Sequence, residues 1–284
     1  MAGPSSVQRV QNGLANLSLN GASSWGDQMS SNSSTSNGGR VRGGDKNTYI
    51  EVFDKSKSTH HSYDVYFYNE KIRTTVTHTA SVLDQWIKNI YSDYHDKLDN
   101  LVVGLDIEWR RMRNQIKRNK VVVLQLCVGR RCLIFQFSCC DKIPKSLYDF
   151  LGNKKFIFVG AGIESHAYKL LADYNLKVAR TEELGDLAAY KLTDNTTDYK
   201  FLHGAELKDL AKAVLEKELP KKEYIEWSNW GRGFLRDEQV EYACLDAFVS
   251  FQLAMDLMNR DRKEGKTKAN GGIKTNGTNR KRAN

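Results

Sequence analysis

The order of periodicities along the chain predicts one mixed α/β domain, with helices packed on a sheet of five or six strands. Three observations carry this. Alternating or continuously apolar runs of strand length crowd residues 63–137, one further strand run at 156–160 sits between helical patterns, and the segments from 183 to 258 repeat at helical spacing. The ends differ in kind. Residues 1–46 are rich in Ser, Asn and Gly, and residues 261–284 in Lys, Gly and Asn. Neither holds enough apolar surface to offset ordering entropy, so both are expected as disordered tails around a folded domain at 47–260.

Each element has a local reason. Residues 63–68 and 71–78 alternate around Asn69-Glu70 and read as a hairpin. Val82, Trp86, Ile87 and Ile90 then recur at helical spacing. Residues 101–109, 121–128 and 132–137 are apolar strands, the last two joined tightly through Gly129-Arg130-Arg131. Pro144, with φ preset for a helix start, opens a short helix to Leu151. Residues 156–160 form the next strand, and 164–174 carry Tyr168, Leu170 and Leu171 on a helical stripe. Residues 183–192, 206–215 and 237–258 are the remaining helices, the last the longest and most apolar. No internal repeat is visible.

A net charge of +9 has the look of a nucleic-acid binder, but the excess sits in the tails: residues 47–259 hold 30 Lys and Arg against 30 Asp and Glu. No stretch approaches the roughly 20 apolar residues of a membrane helix, and the first ten residues have no apolar signal core. A soluble intracellular protein, nuclear or cytoplasmic, is expected, with no membrane partner. The five Cys form no C-x-x-C pair, so small buried hydrophobes are expected rather than a disulfide framework or a zinc site. Arg280-Lys281-Arg282 is either a short import signal or part of a solvating tail.

In LVVGLDIEW at 101–109, alternation puts Val103, Leu105, Ile107 and Trp109 on one face and Asp106 with Glu108 on the other. If this strand is central, two carboxylates on a covered face call for a divalent cation; if it is an edge, the acidic face is simply solvated. Tyr242 and Asp246, four residues apart, share one side of a helix. The apolar neighbours Ala243, Leu245, Phe248 and Val249 fit a buried carboxylate, while an exposed polar stripe is the other arrangement compatible with the spacing.

Taken together, Asp106-x-Glu108 on a strand, VGAGIE at 159–164 leading into a helix, Ser228-Asn-Trp230 and Tyr242-x-x-x-Asp246 resemble, in order and spacing, the Werner-syndrome-type 3′-to-5′ exonucleases. These belong to the DEDD superfamily with a third-motif tyrosine. The resemblance covers residues 60–258, and LQLCVG at 124–129 and WGRGFLRDEQ at 230–239 look most like the plant branch. It implies a ribonuclease-H-like fold and hydrolysis of nucleotides from the 3′ end of single-stranded or partly paired RNA or DNA. It also implies a two-metal Mg²⁺ or Mn²⁺ site in which Asp106, Glu108 and Asp246 hold one ion and Tyr242 orients the attacking water.

One position departs from the family: where its second motif carries an aspartate, this chain has His166. Glu164 is no stand-in, being about 200° away around a helix. The first metal site is therefore expected to persist and the second to be weak, with imidazole favouring Mn²⁺. The resemblance leaves two functions open: a metal-dependent exonuclease, or a weakened or inactive relative that binds nucleic acid or a protein partner. Arg110, Arg111, Arg113, Lys117, Arg118 and Lys120, with no acid among them, follow the acidic strand directly. They are either a guide for the phosphate backbone or a solvated hairpin loop.

Overall fold

The computed structural model describes residues 40–41, 47–109, 119–193, 199–220 and 222–270, with backbone alone at 40–41 and 261–270. In chain order the strands are β1 Arg40–Val41, β2 Thr48–Asp54, β3 His60–Phe67, β4 Glu70–Thr77, β5 Val102–Trp109, β6 Val121–Val128, β7 Arg131–Gln136, β8 Ile157–Gly160 and β9 Thr181–Glu183. The helices are α1 Ala80–Asp93, α2 Lys145–Leu151, α3 Ile163–Tyr174, α4 Leu184–Leu192, α5 Leu207–Leu210 with a π-wound continuation Ala211–Leu215, α6 Glu223–Glu226 and α7 Asp237–Asn270.

The nine strands among the described residues join one mixed sheet in the order β1-β2-β3-β4-β7-β6-β5-β8-β9. β6 lies near its middle, and every one of its residues is buried, as a strand covered on both faces requires. Val102 of β5 and Val122, Val123 and Cys127 of β6 pack on the side of α7, together with α4 and α5. Val103, Leu105, Ile107, Leu124 and Leu126 face α1, α2 and α3. Asp106 pairs with Gln125 across the β5–β6 ladder, and β8 flanks β5 in parallel on the other side.

The mixed α/β class holds, with three strands more than the six legible runs. β1 and β9 have only two and three residues, and Thr-Glu-Glu in β9 carries no apolar signal. β2 buries one side only in part, so its alternation is blurred. β1 also places Arg40 and Val41, inside the expected N-terminal tail, opposite Glu51 and Ile50. The backbone of α7 continues into the expected C-terminal tail as far as Asn270. Lys, Arg and Glu, frequent there, have good intrinsic helix propensity. Residues 1–39 and 271–284, which include Arg280-Lys281-Arg282, lie outside the described residues.

The hairpin turn falls on Tyr68-Asn69 rather than Asn69-Glu70. Tyr68 takes φ +54, a left-handed conformation that partners from far along the chain hold in place: its N–H donates to Asn47 O and its hydroxyl accepts from the Glu218 N–H. Cys127, Cys132 and Cys244 are buried free thiols, as expected, whereas Cys139 is exposed and Cys140 intermediate.

One close approach positions everything that follows. A Cβ built on Gly104 of β5 would lie 2.0 Å from Ala247 O and 2.9 Å from Phe251 N, both backbone atoms of α7. The missing side chain lets the helix lie directly on the strand. Gly104→Ala is therefore expected to cost about 3 kcal/mol or more by overpacking, measured by urea denaturation, and to separate α7 from β5.

Candidate metal and active site

With Gly104 beneath Ala247, the helical turn that carries Tyr242 and Asp246 comes down over the C-terminal half of β5. One carboxylate oxygen from each of Asp106, Glu108 and Asp246 then lies within 4.8 Å of the others. Glu108 is 7% and Asp246 8% exposed. The edge-strand and exposed-stripe arrangements are thus excluded: β5 is flanked on both sides, and α7 turns its acid inward.

The start of α7 is held firmly. Gln239, three residues after Arg236, accepts a hydrogen bond from the Arg236 N–H at 3.0 Å and donates to Ser228 Oγ at 2.9 Å. This closes the helix N-terminus and ties it to the 228–230 segment. Trp230, fully buried, packs its ring 5.9 Å from that of Tyr242. Burial first, then the carboxylates of Asp246, Glu108 and Asp106, push the Tyr242 phenol far above its ordinary pKa. The hydroxyl therefore stays protonated throughout the useful pH range.

His166 is brought to the same place. β8 ends at Gly160 beside β5, and α3 begins three residues later. The His166 Nδ1 atom lies 3.3 Å from Asp106 Oδ1. The contact is not a hydrogen bond, and the buried nitrogen has no hydrogen-bond partner. Glu164, two residues earlier on α3, is exposed. The N-terminus of α3 is capped from a distance: Glu183 of β9 accepts from the Gly162 N–H at 2.9 Å and the Ile163 N–H at 3.0 Å. Burial raises the Glu183 carboxyl pKa, while these two bonds work in the opposite sense.

Not every candidate is placed. Residues 110–118, and with them Arg110, Arg111, Arg113, Lys117 and Arg118, lie outside the described residues. Lys120 is described, and its ammonium sits 4.3 Å above the Tyr174 ring at the end of α3. Gln125 escaped notice in the sequence because it is the one polar residue in an apolar strand. It is fully buried as the cross-strand neighbour of Asp106, and neither amide atom has a hydrogen-bond partner in the protein.

The donor set fits a hard divalent cation. Carboxylate oxygens suit Mg²⁺ and Mn²⁺, and ligands about 2.1 Å from such an ion lie at most about 4 Å apart, so the three acids need close only slightly. At an effective dielectric of about 20, charges at this separation repel by on the order of 3 kcal/mol per pair, a cost that a bound cation removes.

A sequence profile described as 3′-5′ exonuclease matches residues 76–260. The chain belongs to the 3′-5′ exonuclease family. Among curated relatives, the bifunctional 3′-5′ exonuclease/ATP-dependent helicase WRN of Mus musculus is 36% identical over 162 residues, which cover 57% of this chain and 11% of that protein. A 3′-5′ exonuclease of Arabidopsis thaliana is 31% identical over 185 residues, 64% of this chain and 62% of the relative. The chain thus spans less than two thirds of either. Among solved structures, RNase D of Escherichia coli, an exoribonuclease involved in structured RNA processing, aligns with a TM-score of 0.51 at 16% identity. It covers 67% of this chain and 45% of that one, a likeness of fold. No helix among the described residues of this family member is long and apolar enough to cross a membrane.

Saturating Mg²⁺ or Mn²⁺ is expected to raise the melting temperature by roughly 5–10 °C at a hundred times its Kd. Asp106→Asn should raise the metal-free melting temperature, by relieving repulsion, and abolish the metal-dependent shift. Differential scanning calorimetry with and without EDTA checks both.

Proposed function

We propose that this family member is a metal-dependent 3′-to-5′ exonuclease, removing nucleotides from the 3′ end of single-stranded or partly paired RNA or DNA. The observation that carries the proposal is the convergence of Asp106, Glu108 and Asp246 beneath a buried, protonated Tyr242. A divalent cation held by the three carboxylates would supply charge stabilisation at the scissile phosphate and a more acidic water. Tyr242, its hydroxyl protonated, is placed to hydrogen-bond an attacking water and aim it at phosphorus. The water oxygen would form the new P–O bond as the bond to the upstream O3′ breaks, with one proton of the water ending on that oxygen as a 3′ hydroxyl.

His166 sets the limit on this activity. Two cations roughly 3.5–4 Å apart need more negative charge than three acids readily supply, and imidazole at the fourth position favours Mn²⁺ over Mg²⁺. The one-ion site is strong and the second weak. The same residue supports the second reading, a weakened module that holds a nucleic-acid end or a protein partner without turning it over. Substitution toward the family's aspartate separates the two.

With 3′-labelled single-stranded RNA and DNA, activity is expected to be low in Mg²⁺ and higher in Mn²⁺. Asp106→Ala and Asp246→Ala should abolish it. Tyr242→Phe should slow turnover by about 100-fold with the metal-dependent thermal shift intact, and His166→Asp should raise the Mg²⁺ rate at least about tenfold, by restoring the charge a second ion needs. A wild-type protein that leaves every 3′ end untouched in both metals would establish the binding module instead. If residues 110–120 guide the strand, replacing Arg110, Arg111, Arg113 and Lys117 by Ala should weaken binding. It should also flatten log K against log salt by about 0.7 for each phosphate no longer neutralised, read by fluorescence anisotropy.

A further inference from the structure

On the side of the sheet away from the carboxylates, a cleft of ≈ 360 Å³ opens between α1 and the β3–β4–β7 strands. Its position follows from the pleat. Thr74 points its hydroxyl to Cys244 of α7, so its neighbours Arg73 and Thr75 point to the opposite face, into the cleft. Lys57, from the loop before β3, and Arg131, from the start of β7, join Arg73 there, with His60 beside them. Four nitrogenous side chains from three parts of the chain thus converge, and none of the described residues lining the cleft is acidic.

The two guanidinium groups are held in place from outside it. Arg73 Nε donates to Asp64 Oδ1 at 2.6 Å, and Arg131 Nη2 lies 2.6 Å from Asp93 Oδ2. Each guanidinium has five donors, so carboxylate clamps of this kind orient it and leave N–H groups for a further acceptor. The opposite wall is α1. Gln85 and Asn89, hydrogen-bonded to each other at 2.9 Å, present amides, and Val82 with Trp86 forms an apolar strip. A cationic end, an amide edge and an apolar wall in a space of this size match a small ligand that is anionic at one end and flat and polar-edged at the other.

We propose that this cleft is a second binding site, for a nucleoside monophosphate, free or as the terminal residue of a strand. Arg73, Arg131 and Lys57 take the phosphate, and the base lies along Val82 and Trp86 with its edge toward Gln85 and Asn89. The choice of a nucleotide over other phosphate esters rests on the exonuclease reading, since such a nucleotide is what that reaction releases. The binding itself needs neither metal nor catalysis.

Isothermal titration of the full chain in EDTA tests this with AMP, a 5′-phosphorylated oligonucleotide and inorganic phosphate in parallel. AMP should bind at one site per chain, at least tenfold more tightly than inorganic phosphate. Gln85→Glu with Asn89→Asp places two carboxylates in the cleft without changing side-chain size and should weaken AMP at least tenfold. Lys57→Gln with Arg131→Gln should do the same, whereas Asp106→Ala should leave the affinity for AMP as in the wild type. Circular dichroism confirms that each variant is folded. An oligonucleotide with the same sensitivity to these variants identifies a strand terminus as the ligand, and AMP binding alone identifies the free nucleotide. No AMP binding, affinity equal to that of inorganic phosphate, affinity indifferent to the cleft variants, or affinity abolished by Asp106→Ala would each overturn the proposal. Because no arm depends on turnover, a protein that proves inactive as a nuclease can still bind AMP here, and the two failures remain distinct.

Discussion

The approach of α7 to β5 over Gly104 is the constraint on which the site depends. A helix normally stands off a sheet by the thickness of two layers of side chains. Here one layer is missing at the point of crossing, and the backbone of Ala247 takes its place. The reward is geometric: an aspartate and a tyrosine borne by the helix meet an aspartate and a glutamate borne by the strand. Gly160 repeats the device on a smaller scale, since a Cβ there would lie 2.7 Å from Leu105 O, and it lets the turn into α3 deliver His166 to the same group.

What is assembled in this way is electrostatically costly on its own. Two of the three carboxylates are almost wholly buried, and their mutual repulsion opposes the packing that gathers them. His166, whose Nδ1 lies 3.3 Å from Asp106 Oδ1, adds no negative charge to this group and so does not deepen that repulsion.

Most of this was legible where a local pattern and a tertiary demand coincide. LVVGLDIEW reads as a strand with its acids on one face because a central strand needs apolar residues at nearly every other position. Tyr242 and Asp246 read as neighbours because they lie one helical turn apart. What stayed hidden depends on partners distant in sequence. The turn at Tyr68 is held by Asn47 and Glu218, and nothing in the dipeptide Tyr68-Asn69 announces a left-handed residue. Gln125 is a polar interruption in an apolar run whose meaning appears only when Asp106 is laid beside it. β9 is too short to have a period at all. The face that α7 covers could be read only with the strand order in hand, which made Gly104 a punctuation mark in the sequence and a bearing surface in the fold.

Glu183 adds a consequence of its own. The first turn of a helix offers unpaired N–H groups and partial positive charge, a natural seat for phosphate. At the start of α3 two of those groups already serve a carboxylate of the chain, delivered by the edge strand β9. A nucleic-acid phosphate arriving there meets an occupied, negatively charged end, not an open one. The start of α3 is therefore closed to anions on this side: an acid of the chain's own edge strand already fills the seat that the first turn of a helix would otherwise offer.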